Sequence, residues 1–204
     1  MKDNTIWYTT TDNQPIIINP DPFDTQVAYH QYKNGVGAIH LCGDVTTINP
    51  WMFYNCYNLY SIELPDSIKS IGHSAFMRCS ALTSISIPKG VVSIGRDCFC
   101  DCSQLSTVLF PDGITTIEPF TFRGCESLST ITIPESVDKI GYCAFEECTM
   151  LSELTIPAST TIIEPYAFSG CLKLKEVTLS PTTEICEEAF DSSCTIKTTT
   201  TPSA

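Results

Sequence analysis

Three cysteines alternate in the segment Cys98-Phe99-Cys100-Asp101-Cys102, and thiols this close together suit three kinds of chemistry. They could bind a zinc ion, act as a redox relay, or form a tight disulfide cluster. A structural zinc site needs four ligands in a tetrahedral arrangement. Neither a nearby histidine nor a Cys-x-x-Cys pair completes such a set, so we expect no bound metal ion.

The histidines offer one further candidate for chemistry. His40 and Cys42 lie two residues apart and could share one face of a strand, whereas His30 and His73 stand alone. A Cys–His nucleophile also needs an orienting third group and an oxyanion site, and nothing in the sequence identifies either. Glycine-rich phosphate loops are missing as well. We therefore predict no catalytic residue, no cofactor and no enzymatic activity.

Composition narrows the classes of partner. The 204 residues carry 11 basic and 23 acidic side chains, a net charge of −12. Nucleic acid is not expected as a partner, because binding it requires Lys and Arg to neutralise phosphates. No apolar run approaches the roughly 18 residues of a membrane-spanning helix, so no direct membrane insertion is expected. The opening Met-Lys-Asp-Asn lacks the apolar stretch of a signal peptide.

A single period of 23 residues organises the chain. Several residue types recur in one phase, and a fixed period of this size indicates a solenoid. The columns are Cys56, Cys79, Cys102, Cys125, Cys148, Cys171 and Cys194; Phe53, Phe76, Phe99, Phe122, Phe145 and Phe168; Leu59, Leu82, Leu105, Leu128, Leu151 and Leu174; and Ile48, Ile71, Ile94, Ile117, Ile140 and Ile163.

One repeat, residues 128–150, shows how each turn is built. Leu128-x-x-Ile131-x-Ile133 alternates apolar and hydroxyl residues, which is typical of a strand with one buried face. Pro134 then ends the strand, because proline cannot donate to a strand ladder. After Gly141, the inward residues lie three or four apart, which predicts a short helical or 3₁₀ turn.

The unit LxxIxIPxxVxxIGxxAFxxC resembles the BspA-like, or Treponema-type, leucine-rich repeats of bacterial and protist surface proteins. The resemblance implies a β-rich leucine-rich-repeat solenoid of stacked parallel strands. We expect about seven turns over residues 36–195. The last turn is distorted, because Ile185 and Phe190 come one residue early while Cys194 keeps its phase. The array could continue beyond residue 204.

The two ends are expected to differ from the array. Residues 1–35 are predicted to form a small N-terminal cap, with Ile6–Thr10 and Gln14–Ile18 paired as a hairpin. Pro20 and Pro22 should break the chain before Asn34-Gly35 turns into the first repeat. Residues 196–204, rich in threonine, are predicted to be a disordered tail or linker.

The array also assigns roles to the alternating cysteines. Cys102 belongs to the repeated column, and Cys98 replaces an inward alanine or threonine. Cys100 replaces variable residues, so we expect it to be exposed and open to modification. Neighbouring turns lie close enough for disulfides, yet seven column thiols cannot all pair among themselves. We favour buried free thiols over disulfides.

Because the inward strand residues are fixed, the outward ones are the candidate binding face. Exposed threonine suits a strand and needs no ligand, although solenoids often recognise partners through such faces. Few aromatic residues belong to this set. Five tyrosines near turns or strand starts suggest a contact site on the loop edge instead: Tyr54, Tyr57, Tyr60, Tyr142 and Tyr166. The predicted face comprises Ala38, His40, Ser61, Glu63, Ser84, Ser86, Thr107, Leu109, Thr130, Thr132, Glu153, Thr155, Glu176 and Thr178.

The family resemblance implies a non-enzymatic protein-binding or adhesion module that is cell-surface or secreted. Its expected partner is an extracellular host or microbial protein, with a glycan as another candidate. A second hypothesis is an intracellular or periplasmic scaffold without adhesive function. A third is a thiol- or metal-dependent activity, which is retained because of the cysteine count. The oligomeric state and the identity of the ligand are not encoded in any motif.

Overall fold

A computed structural model describes residues 4–19, 27–43 and 45–199 of the protein. Pro20, Pro22 and Asp44 lie outside these ranges, as do residues 200–204 of the predicted tail. Three strands form the N-terminal cap: β1 (Thr5–Thr10), β2 (Val27–Lys33) and β3 (Val36–Leu41). The remaining strands form two columns along a solenoid.

The first column contains the longer strands, whose alternating residues face the core and the solvent. It comprises β5 (Leu59–Glu63), β7 (Ser84–Ser86), β9 (Thr107–Leu109), β11 (Thr130–Thr132), β13 (Glu153–Thr155), β15 (Glu176–Leu179) and β17 (Thr195–Thr198). Pairing is parallel and in register: Ser84 lies opposite Thr107, and Thr130 lies opposite Glu153. Like side chains of successive turns are therefore neighbours.

The second column consists of two-residue strands on the other side of the core. It comprises β4 (Thr47–Ile48), β6 (Ser70–Ile71), β8 (Ser93–Ile94), β10 (Thr116–Ile117), β12 (Lys139–Ile140), β14 (Ile162–Ile163) and β16 (Glu184–Ile185). These strands also pair in parallel, with isoleucine opposite isoleucine in every pair. Together the columns confirm the predicted β-solenoid.

Phenylalanine rings form the centre of the core. The rings of Phe53, Phe76, Phe99, Phe122, Phe145, Phe168 and Phe190 stack almost in parallel, with centroids 4.9–5.4 Å apart and interplanar angles of 3–10°. Stacked rings add to the stability gained from burying their apolar surface. Phe190 keeps its place in the stack although it comes one residue early in the sequence.

Successive turns are fastened by thiols beside this stack. The Cys79 Sγ donates a hydrogen bond to the Phe53 carbonyl at 3.1 Å, and the same bond recurs down the column at 3.1–3.2 Å. Each such carbonyl also accepts the backbone N–H three residues later, as Phe53 does from Cys56. Cysteine fits this position because it is small and apolar yet can donate one hydrogen bond.

The turns themselves differ from the prediction. Short helical segments were expected after each second-column strand, but no helix occurs in residues 4–19, 27–43 and 45–199. Hydrogen bonds of the i→i+3 type do recur there. Each turn, however, has residues at positive φ, such as Trp51 at 58° and Asn55 at 61°, and this left-handed backbone interrupts any helix.

Strand pairing in the N-terminal cap also differs from the prediction. The predicted hairpin of Ile6–Thr10 with Gln14–Ile18 is wrong, because β1 pairs antiparallel with β3 on one side and with β5 on the other. The hairpin is instead β2–β3, and it turns at Asn34-Gly35. Residues 14–19 run along the first turn, where the Ile17 carbonyl accepts the Cys56 thiol at 3.3 Å. The cap thus continues the thiol–carbonyl pattern.

The C-terminal boundary is also shifted. Residues 196–198, predicted to belong to the tail, form most of β17, which pairs with β15. In that pairing Glu176 lies opposite Thr195, nineteen residues later instead of twenty-three. The last turn is therefore shorter, because the chain returns to the strand column directly after Cys194.

The stack predicts which substitutions destabilise the protein. Phe122 is fully buried between Phe99 and Phe145, so Phe122→Ala should lower the free energy of unfolding by roughly 3–5 kcal/mol. The control, Thr132→Ala on the exposed face, should change it by no more than about 0.5 kcal/mol. Urea denaturation measures both variants. Equal losses would contradict the assignment of inward and outward residues.

Candidate binding face

The outward residues of the first column form one continuous surface, called here the strand face. It contains the predicted pairs from Ser61/Glu63 in β5 to Glu176/Thr178 in β15. All of these residues are exposed except Ser61, which is half-buried. In-register pairing aligns their side chains in rows along the solenoid, as Thr130–Glu153 and Thr132–Thr155 show. The rows offer hydroxyl and carboxylate groups to a partner.

Two predicted members of the face do not occupy the expected position. Ala38 and His40 were assigned to a first parallel repeat, but their strand, β3, is antiparallel and separated from β5 by β1. Ala38 is only 2% exposed, which removes it from any contact surface. Trp7 of β1 stands beside Glu63 instead. No sequence pattern indicates this arrangement, because strand pairing within the cap does not follow the 23-residue period.

The cap adds an aromatic group at this end of the face. The Tyr29 ring stacks on His40 with centroids 4.0 Å apart, and Trp7 meets His40 edge-on at 6.5 Å. Both nitrogens of His40 are within hydrogen-bond distance of polar side chains, Thr5 Oγ1 and Gln31 Nε2, each at 3.1 Å. His40 therefore organises the rings, and the interpretation that it pairs with Cys42 gains no geometric support.

Three shallow concavities follow the strand face. One of about 270 Å³ lies between Trp7 and the turn after β5. A second of about 300 Å³ lies around Leu109 and Thr130, and a third of about 360 Å³ around Glu153 and Glu176. The third is partly neutralised, because Lys197 pairs with Glu176 at 2.6 Å. The strand face thus has shallow concavities of a size that suits side chains of a protein partner.

The loop edge carries a second group of aromatic residues. Trp51 meets His73 at 4.2 Å, and Tyr142 contacts both Phe120 and Tyr166, at 5.3 and 5.8 Å. Two of the five suggested tyrosines, Tyr142 and Tyr166, thus lie in a longer row. These contacts are edge-to-face between successive turns, a favourable arrangement for aromatic rings. The row therefore stabilises the edge whether or not it binds a ligand.

A family comparison identifies the architecture. A family model described as the BspA type leucine rich repeat region, with six copies, matches residues 27–149 and 92–204. The chain belongs to the BspA-type leucine-rich-repeat family. This is a family of bacterial surface-type proteins, consistent with a protein-binding module, and its solenoids are typically non-enzymatic scaffolds. A search of curated proteins found no match.

Solved structures agree with the family. A leucine-rich-repeat protein of Treponema pallidum is 31% identical over 67% of this chain and 66% of its own, with a TM-score of 0.64. One from Eubacterium ventriosum is 25% identical over 78% and 45%, with a TM-score of 0.58. The pneumococcal vaccine antigen PcpA, 21% identical over 86% and 43%, shares the fold with a TM-score of 0.68. This chain spans less than two thirds of each.

Burial favours the neutral form of the thiols of Cys56, Cys98, Cys100 and Cys102 in this BspA-type solenoid. All twelve cysteines are free, and burial raises the pKa of Cys56 and Cys100 to about 12 from the ordinary value of 9.0. Cys98 and Cys102 are fully buried, and their pKa values are raised for the same reason. Because the thiolate is the reactive form, such thiols are poor nucleophiles.

Cys100 was expected to be exposed, and that prediction is wrong. It is only 2% exposed, because the turn places it against the neighbouring turn, where Arg123 lies close enough to interact with it electrostatically. Cys42 is the exposed cysteine instead.

In residues 4–19, 27–43 and 45–199 no group of three or more His, Cys, Asp or Glu side chains could hold a metal ion. The same ranges contain no helix long and apolar enough to cross a membrane.

The buried thiols predict a loss of stability at alkaline pH. Their contribution to the free energy of unfolding is complete below pH 9.0, the ordinary thiol pKa. It is lost as the pH rises towards the folded-state pKa values of about 12. In that window these thiols ionise only in the unfolded chain. Each thiol with a raised pKa should therefore lower the free energy of unfolding by about 1 kcal/mol between pH 9 and about pH 10.

Urea denaturation with reductant at pH 8 and pH 10 tests this expectation. Cys148→Ala removes one buried column thiol and should reduce the alkaline loss of the wild-type protein by about 1 kcal/mol. Other groups that ionise in this range cancel in the comparison. An identical pH dependence of the two proteins would show that the column thiols do not cause the loss.

Proposed function

We propose that this chain is a non-enzymatic protein-binding and adhesion module that binds an extracellular host or microbial protein through the strand face. One observation carries the proposal: the inward residues of the strand column repeat, whereas a single outward position varies from Ser86 to Leu109 to Thr132. A stable solenoid requires only the inward set. The outward set is therefore free to serve recognition.

The chemistry of the face supports a protein ligand. Hydroxyl and carboxylate groups can bond backbone N–H groups and basic side chains, and exposed Leu109 adds an apolar contact. The three concavities lie on this face, at separate positions along it. An extended partner surface could fill them together, whereas a small substrate would find no enclosed pocket among them.

A cell-surface or secreted location completes the proposal. It is supported by family membership and by the shared fold of the pneumococcal vaccine antigen PcpA. Antibody labelling of intact cells that naturally express the protein, together with the culture supernatant, tests the location. Labelling of either sample is expected. Labelling that requires permeabilised cells would favour the intracellular or periplasmic scaffold.

Matched variants test which surface binds. The purified protein is screened by surface plasmon resonance against a panel of extracellular-matrix and plasma proteins. Thr132→Arg places a bulky charge on the strand face and should weaken binding to a partner at least tenfold. Ser93→Arg makes a comparable change at an exposed position on the other column and should leave the affinity unchanged.

The reverse result, with binding lost only in Ser93→Arg, would assign recognition to the other side of the solenoid. Binding of no protein in the panel, with both variants folded, would count against adhesion. Thermal unfolding of each variant confirms that an altered affinity does not come from misfolding.

A further inference from the structure

A slot lies where the N-terminal cap meets the first complete repeat. Trp7 of β1 forms one wall, and residues 64–67, the turn after β5, form the other. The slot has a volume of about 270 Å³, and 39% of the Trp7 surface remains exposed. Trp7 lies opposite Glu63 across the antiparallel pair, so the indole and the carboxylate are neighbours on one face.

The slot is acidic. Its lining includes the exposed carboxylates of Glu63 and Asp66 and no Lys, Arg or His. Within the described part of the chain, neither carboxylate takes part in an ion pair. The basic group nearest in sequence, Lys69, extends its Nζ towards Gly90 in the next turn. Two carboxylates beside an aromatic face attract a cation through both Coulomb and cation–π interactions.

One hydroxyl in the lining lacks the partner that its counterparts have. Ser136 Oγ donates to the Ile114 carbonyl at 2.5 Å, and Ser159 Oγ donates to the Val137 carbonyl at 3.0 Å. Ser67 holds the same repeat position, but its buried Oγ makes no hydrogen bond in the structure. A buried hydroxyl without a partner is energetically costly, so this wall of the slot differs from the corresponding turns.

We propose that this slot binds a lysine or arginine side chain of the partner protein, with its cationic head between Glu63 and Asp66 and its stem against Trp7. The proposal rests on the proposed function, because the slot is the cap end of the strand face. The charged side chains of the lining are both carboxylates, Glu63 and Asp66, and the lining has no cationic group. Lysine and arginine bring a positive charge and only donate hydrogen bonds, which complements two carboxylates without an ion-pair partner better than the neutral hydroxyls of a glycan do.

The protein contains two tryptophans, which allows a direct measurement. In Trp51→Phe, the indole of Trp7 is the sole tryptophan fluorophore and reports on the slot. Titration with a tetra-arginine peptide should change its fluorescence saturably, and the change should weaken at high salt. A tetra-citrulline peptide has nearly the same shape without the charge and should produce no saturable change.

Substitutions then test the named groups. Glu63→Gln combined with Asp66→Asn should weaken tetra-arginine binding about tenfold, since it removes two exposed charge pairs. Glu126→Gln removes an exposed carboxylate outside the strand face and should have no effect. Trp7→Leu, measured by calorimetry, should weaken binding about fivefold through loss of the ring. The thermal unfolding of each variant is recorded alongside.

Several results would overturn the proposal. Equal binding of tetra-citrulline, or unchanged affinity in the Glu63/Asp66 double variant, would exclude charge recognition. Saturable binding of N-acetylglucosamine oligomers without tetra-arginine binding would make the slot a sugar site. If tetra-arginine does not bind the slot while Thr132→Arg still weakens binding of a partner protein, the slot proposal is wrong and the proposed function of the strand face is retained. If tetra-arginine binds while Thr132→Arg has no effect on a partner, the broader proposal fails and the slot remains.

Discussion

The structure depends on one constraint: the chain must return to the same position in every turn, so that a phenylalanine carbonyl meets the cysteine thiol of the next turn. That hydrogen bond lies beside the stacked rings, where a second polar group would be costly to bury. The thiol satisfies the free acceptor capacity of the carbonyl without bringing in a strongly hydrated group. The spacing of the rings, 4.9–5.4 Å, is close to the roughly 4.7–4.9 Å between neighbouring strands. Ring stack, strand pairing and thiol bond therefore support one another.

The same constraint separates structural residues from variable ones. Inward positions must repeat because each contacts its own counterpart above and below. Outward positions contact their counterparts only at the surface, where Thr107, Thr130 and Glu153 are equally acceptable. The residue type also varies at the left-handed turn position, where Asp101, Gly124 and Glu147 have nearly the same φ. In this way a rigid repeat carries a surface whose chemistry changes from turn to turn.

The cap does more than cover the first turn. Its residue Ile17 supplies the carbonyl that the first column thiol requires, so the repeated bond begins in a segment that is not itself a repeat. On the other side of β1, Gly37 leaves room for the Tyr8 ring, whose hydroxyl bonds His30 Nε2 at 2.6 Å. Burial raises the pKa of Tyr8 to about 12, which keeps this hydroxyl protonated. The cap is therefore firmly built, and it presents Trp7 and Tyr29 at the end of the strand face.

Periodicity alone determined the solenoid, its inward columns and the burial of Cys98 and Cys102, because stacking in register makes every contact local to neighbouring repeats. The sequence also showed that Phe190 came early, and the structure shows that it still joins the stack. Other features had no periodic signature. The antiparallel position of β1 between β3 and β5 joins residues far apart in the chain, and it buried Ala38 and brought Trp7 to Glu63. The neighbouring turn buries Cys100, and β17 pairs with β15 to close a shortened last turn. Both features depend on local packing, which only the tertiary structure decides.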